Sequence, residues 1–308
     1  MALARVKVWN PGDILTASDL NGEFNNVLNN PITLISPLTA NISAGGNQIT
    51  NLVIEKVAAN PVVGTTGRIY FNTNSSALQV DSGKQIQTLD SIRRITALSS
   101  SQTWTRSSDV SKVWLQLIGG GGGGGASSTT AAGNLSAGGG GGGGGFVTGF
   151  ISLTSSMTTA TITVNTTAGG TAGAAPGGTG GTGGSVSWAD GTNTLTANGG
   201  VGGGGSAMAA NTQVTAFGGG GGSASGGSVN VTGAAGGYGL IFPSANNTAS
   251  GQGAATLFGA GGASADRTAG NAGLGFGGGG SGAGTGGNLP ANGGGTGTPG
   301  LVLIYELG

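Results

Sequence analysis

Apolar positions are sparse in this chain, and their spacing decides what the first hundred residues can form. Leu20, Phe24, Val27 and Leu28 stand at i, i+4, i+7 and i+8, one stripe of a helix. Thr16 or Ser18 can cap that helix, Asp19 and Glu23 suit its first turns, and Asn29-Asn30-Pro31 ends it. A helix of about 13 residues is marginal alone, and no large apolar run follows it. Three copies packed stripe to stripe supply what a single chain lacks. Short alternating pieces come next, over 41–52 around Gly45-Gly46, then over 67–72 and 77–81, which read as small strands joined across 72–76. None of these folds alone. Two stronger runs, 113–118 and 301–307, bracket the last part of the chain and are expected to pair as antiparallel strands at the base of what lies between them.

Composition changes the picture beyond residue 118. The chain has 308 residues, 73 of them Gly, and only seven of those Gly precede Gly119. Charge runs the other way. Of 20 charged residues, balanced in sign, all but Asp190, Asp266, Arg267 and Glu306 lie in 1–114. The break divides the chain into an N-terminal region over 1–40, β-rich modules over 41–100 and a glycine-rich domain over 101–308.

The glycine runs carry their own geometry. Residues 119–125 and 138–145 are all Gly, and 177–185 repeat with a period of three. A polyproline-II helix has three residues per turn, so Thr179, Thr182 and Ser185 would share one face, with Gly on the other two. Such a helix has no internal hydrogen bonds, and ordering Gly is entropically costly. The peptide groups must therefore pair laterally with neighbouring helices, in a bundle where an all-Gly run can be enclosed on every side. The placed aromatics Phe146, Phe217, Phe258 and Phe276 at the ends of glycine runs argue against a flexible linker.

Candidate chemistry is thin. With no Cys and no His there is no thiol nucleophile, no imidazole base and no common zinc site. Zero net charge removes the long-range attraction for nucleic acid. Gly83-Lys84 is followed by Gln85, so the phosphate-binding loop is absent. Asp190 and Asp266 are too separate to read as a paired-carboxylate glycosidase. No apolar run is long enough for membrane insertion, and the N-terminus lacks an apolar leader. The expectation is a binding or structural protein with no enzyme activity and no cofactor.

Several stretches together resemble one family. Trp9-Asn10-Pro11-Gly12-Asp13-Ile14-Leu15-Thr16-Ala17-Ser18-Asp19-Leu20-Asn21 and residues 24–31 resemble the N-terminal region of bacteriophage tail fibre proteins. Gly46-Asn47-Gln48-Ile49-Thr50-Asn51-Leu52 and residues 67–83 resemble modules of fibre shafts. Residues 113–118 running into seven Gly, and 300–305, resemble the opening and close of phage glycine-rich tail domains. That domain is also similar to phage tip adhesins that fold as polyglycine II bundles, although this chain carries its own anchor and shaft. The resemblance implies a fibrous homotrimer in the virion tail, made in the host cytoplasm. A short helix and small β modules would lead to a polyglycine II helix bundle with flanking β-strands. It also implies docking on phage tail or baseplate proteins through residues 1–40, with Trp9, Leu20 and Phe24 as anchoring candidates. The tip would bind a host surface glycan or outer-membrane protein. The alternative is a structural tail or head fibre that carries another adhesin.

Which loops face the host follows from a count of segments. Eight glycine-rich blocks alternating in direction put loops 126–137, 186–198, 229–258 and 288–292 at the far end. Loops 206–217 and 263–276, with 146–168, would then face back. The receptor-binding candidates on this count are Trp188, Asp190, Tyr238, Phe242, Asn246 and Asn247, because aromatics beside short amides suit recognition of sugars or loops.

Overall fold

A computed structural model describes residues 8, 10–29, 55–57, 68–73, 77–81, 86–88, 92–108, 110–164, 169–209 and 213–308. Trp9, the 41–52 pieces and the rest of 30–54 lie outside the described residues. Two compact units are present, Met1–Glu55 and Lys56–Gly308. Apart from one α-helix and a single 3-10 turn, the regular structure among the described residues is small antiparallel sheets.

In the first unit the stripe forms the expected helix, Ala17–Asn29. Thr16 is its cap: its Oγ1 accepts from the Asp19 amide and donates to the Asp19 carboxylate, closing the first turn. Leu20 and Phe24 are exposed on the single chain. The expected strands at 67–72 and 77–81 pair antiparallel, Ile69 opposite Val80 and Asn72 opposite Ala77, within a sheet that also holds Glu55–Val57 and Ile86–Thr88.

Two five-stranded sheets then make a sandwich. The first orders Val229–Val231, Phe146–Ser152, Lys112–Ile118, Leu301–Leu307 and Ile92–Leu98. Leu301 lies opposite Ile118 and Leu307 opposite Lys112, so the two bracketing runs pair as expected. The second sheet orders Ala224–Ser225, Thr194–Ala197, Val186–Ala189, Thr159–Val164 and Gln102–Thr105. Alternation puts Val113, Leu115, Leu117, Val147 and Ile304 of the first sheet against Trp104, Ile162, Trp188 and Leu195 of the second. Buried among them, the Glu306 carboxylate accepts from Trp104 Nε1 at 2.7 Å and from Arg94 Nη2 at 2.5 Å, so the charge is paired and bonded across both sheets. The strands Ile92–Leu98 and Gln102–Thr105 flank residue 100, and both belong to this sandwich.

Between the strands Lys112–Ile118 and Leu301–Leu307, glycine-rich segments run back and forth between the sandwich strands and loops. Lateral backbone hydrogen bonds with a three-residue period define their course. The amides of Gly119, Gly122 and Gly125 donate to 145, 142 and 139; those of Gly120, Gly123 and Ala126 to 184, 181 and 178; those of Gly121, Gly124 and Ser127 to 298, 295 and 292. The carbonyls of the same run accept from segments around 170–177, 200–206 and 280–283. Residues 119–127 thus bond six neighbours, and so do 138–145 and 277–283. All three runs are buried. Neither all-Gly run contains a positive φ, so glycine is needed there for its missing Cβ, not for its backbone freedom. Thr179 and Thr182 are exposed, while Gly180 and Gly183 donate to one neighbouring segment and Gly178 and Gly181 to another, which fits the period of three.

The segment count differs from the expected eight. Among the described residues there are twelve: 119–127, 138–145, 169–174, 177–184, 198–206, 217–223, 233–239, 250–256, 260–265, 269–273, 277–283 and 292–299. Successive segments alternate in direction, as their registers require. The extra ones escaped the count because they hold Ala, Thr, Ser, Asn and Gln. A segment on the outside of the slab must present a bare backbone only where neighbours touch it. The polarity of several loops therefore reverses. The far end carries 128–137, 175–176, 207–216, 240–249, 266–268 and 284–291. Residues 146–168, 185–197, 224–232, 257–259 and 274–276 return to the sandwich end.

Candidate binding surface at the far end

The far-end loops are held by small buried hydroxyls. Ser127 Oγ and Thr285 Oγ1 bond each other, Ser128 Oγ donates to the Ser206 carbonyl at 2.6 Å, and Ser136 Oγ meets Ser206 Oγ at 3.0 Å. Asp266 Oδ1 accepts from the Thr248 amide and hydroxyl at 2.9 and 3.0 Å. Leu135, Ala137 and Ile241 form a small core beneath them. These hydroxyls and this core suit rigid loops that present side chains rather than change shape.

Four of the six receptor-binding candidates gather here on one excursion. Tyr238 ends the segment 233–239, and its exposed ring meets Phe217 edge-on at 5.8 Å. Phe242 and Asn247 sit opposite each other in the hairpin Gly239–Phe242 and Asn247–Ala249. Asn246 closes the 3-10 turn Pro243–Ala245 in the left-handed region, φ 49°, which asparagine tolerates. Phe242, Asn246 and Asn247 are all exposed. The surface offers ring edges, amides and hydroxyls.

Trp188 and Asp190 are corrections. Trp188 is 0 % exposed, in the sandwich core against Trp104 at 5.2 Å between ring centroids. Its loop returns to the sandwich end, and its strand pairs with Thr159–Val164. Asp190 ties the turn that follows: its Oδ1 accepts from the Thr192 and Asn193 amides at 2.9 and 2.7 Å, and its Oδ2 from Asn193 Nδ2 and Trp188 Nε1. Partial burial pushes the carboxyl up, but the hydrogen bonds from Asn193, Thr192 and Trp188 outweigh it and hold Asp190 below the usual carboxylate range. A depressed folded value stabilises above the unfolded value and is lost as pH falls through the folded one. Asp190→Ala should therefore cost about 1 kcal/mol near neutrality. In denaturant melts the gap to the parent protein should close as pH drops below 4; a gap independent of pH would refute the role.

Residues outside the candidate set also belong to this surface. Phe217, 72 % exposed, and Met208 and Leu289 lie at the far end, although 206–217 was expected to face back. The signal for Phe217 was its position before a glycine run; only the segment parity was missing. Trp9 lies outside the described residues, and Leu20 and Phe24 belong to the helix of the other compact unit. Among the described residues no group of three or more His, Cys, Asp or Glu could hold a metal, and no helix is long and apolar enough to cross a membrane. In comparisons with known proteins, residues 96–306 match the family described as a glycine-rich domain. No curated protein matches the chain.

Proposed function

The chain belongs to the glycine-rich domain family, and on that footing we propose that it is a bacteriophage tail fibre that binds a host cell surface through the far-end loops of this domain. The observation that carries the reading is the gathering of Tyr238, Phe242, Asn246 and Asn247, with Phe217, on exposed loops at the end opposite the sandwich through which the chain enters. In this reading the twelve segments are polyglycine II helices. The three-residue hydrogen-bond period supports it, since that helix has three residues per turn and bonds only laterally. The fibre is a homotrimer in the virion tail, and residues 1–40 dock it on tail or baseplate proteins. Its partner is a surface glycan or outer-membrane protein, and it carries out no catalysis.

Adsorption tests this. Particles carrying Tyr238→Ala and Phe242→Ala should adsorb at least about thirtyfold more weakly, as for loss of interface hot spots, with the melting curve of the fibre unchanged. Leu274→Ala, at the sandwich end, should leave adsorption intact. Unchanged adsorption by the double variant in a folded fibre would favour the structural fibre that carries another adhesin.

A further inference from the structure

The outer face of the first five-stranded sheet, turned away from the sandwich core, has an unusual surface. Cross-strand register aligns Ile95, Tyr305, Trp114 and Phe150 in one row over four strands. The next row is Ala97, Leu303, Gln116, Thr148 and Val229. Beyond it, Ile118, Phe146 and Val231 line an apolar cleft of about 450 Å³ with Leu257 on its rim. Phe150 and Ile95 are 64 % and 57 % exposed, and Val229, Val231 and Leu257 are exposed too. On this face charge keeps to one end of the sheet, at Arg93 and Lys112.

We propose that this face is where a second copy of the chain packs, so that the glycine-rich domains of the trimer meet through their sandwiches and not through their glycine slabs. The inference rests on the trimer reading above. Three features select this occupant. First, the rings of Phe150, Trp114 and Tyr305 stack on one another, with centroids 5.6 and 4.6 Å apart and planes 15° and 27° apart. The Trp114 ring is covered on both sides within the row, and Phe150 and Tyr305 each use one face on it. The Trp114 indole N–H is also spent, on Thr148 Oγ1 at 2.9 Å. A sugar needs open ring faces and free polar groups; an apolar protein surface needs neither. Second, the exposed apolar area is on the order of 500 Å², at the top of what a monomer leaves open and a large part of the ~800 Å² that each partner contributes to a stable interface. An apolar centre with charge at its rim is also the anatomy of such interfaces. Third, Ile92–Leu98, the edge strand of this sheet, is where the chain first enters the sandwich. Copies held together along the preceding residues arrive at this face at high effective concentration.

The chain has no Cys, which allows a clean accessibility test on the full-length protein. Single variants Phe150→Cys, Ile95→Cys and, as the open reference at the far end, Phe217→Cys are labelled with a maleimide, and the mass of each is measured by light scattering. Trimers in which Cys at 150 and at 95 both react about tenfold or more slowly than Cys at 217 are expected, because labelling then requires the interface to open. Guanidinium-unfolded samples, which should label equally, control for intrinsic reactivity. Trimers in which all three sites react alike overturn this proposal alone and leave the face to a different protein. Monomers overturn the trimer reading together with it.

Discussion

Gly124→Ala is expected to destabilise the glycine-rich domain by more than about 3 kcal/mol, lowering its melting temperature by roughly 6–12 °C or preventing folding. A Cβ at this position would sit far inside contact distance of the Ser281 carbonyl and also press on the Gly282 amide. Neither can yield locally. The Gly124 amide donates to Gly295 at 2.8 Å, its carbonyl accepts from Gly173 at 2.8 Å, and Ser281 is itself bonded to 271 and 295. To make room for one methyl group, several segments would have to move together. The contrast is Gly220 on the outer segment 217–223, where a Cβ would meet nothing within 4 Å. Gly220→Ala should be neutral or stabilising by a few tenths of a kcal/mol, through the unfolded chain. Thermal melts of the two variants beside the parent decide the matter. If Gly124→Ala melts within 2 °C of Gly220→Ala, the close backbone packing is not what holds the domain.

Trp188→Ala should cost about 3–5 kcal/mol, the range for emptying a large aromatic site in a core. The ring is wholly buried against Trp104, whose own Nε1 is fixed by the buried Glu306, so the surroundings have little freedom to collapse into the space. Denaturant unfolding followed by the remaining tryptophans would give the loss. Trp188→Phe separates this role from host contact: it refills part of the site and should restore most of the stability while leaving adsorption unchanged. A Trp188→Phe variant that is stable but loses the proposed adsorption would return Trp188 to the receptor surface.

How far the sequence could be read depended on how local the deciding physics is. The helix Ala17–Asn29 follows from its stripe and the Thr16 cap, and the hairpin through Ile69 and Val80 follows from alternation. The pairing of residues 112–118 with 301–307 was legible despite its span because both runs are apolar and isolated in a glycine-rich background. The period of three at Thr179 and Thr182 was visible for the same reason. Polarity was not, because it rests on a parity that one unrecognised segment reverses. Segments such as 250–256, which read Ser-Gly-Gln-Gly-Ala-Ala-Thr, alternate buried Gly251 and Gly253 with exposed Gln252 and Ala255, and which positions must be bare is decided by the finished packing. The misplacement of Trp188 follows directly. Tyr238 and Phe242 kept their assigned end because errors on either side of them cancelled.

The bond between the Gly121 amide and the Thr298 carbonyl has a consequence for biosynthesis. The first glycine segment to leave the ribosome needs partners from nearly the last, and the closing strand Leu301–Leu307 lies inside its sheet, between Ile92–Leu98 and Lys112–Ile118. A nascent chain that lacks residues 292–307 therefore cannot complete the domain. More than a hundred and eighty residues must wait, low in charge and rich in unpaired amides, until that stretch has emerged, and then close in one slow, long-range step. Such a chain depends on the time it is kept from its neighbours, and helper proteins that shield the unfinished domain would set its yield more than its final stability does.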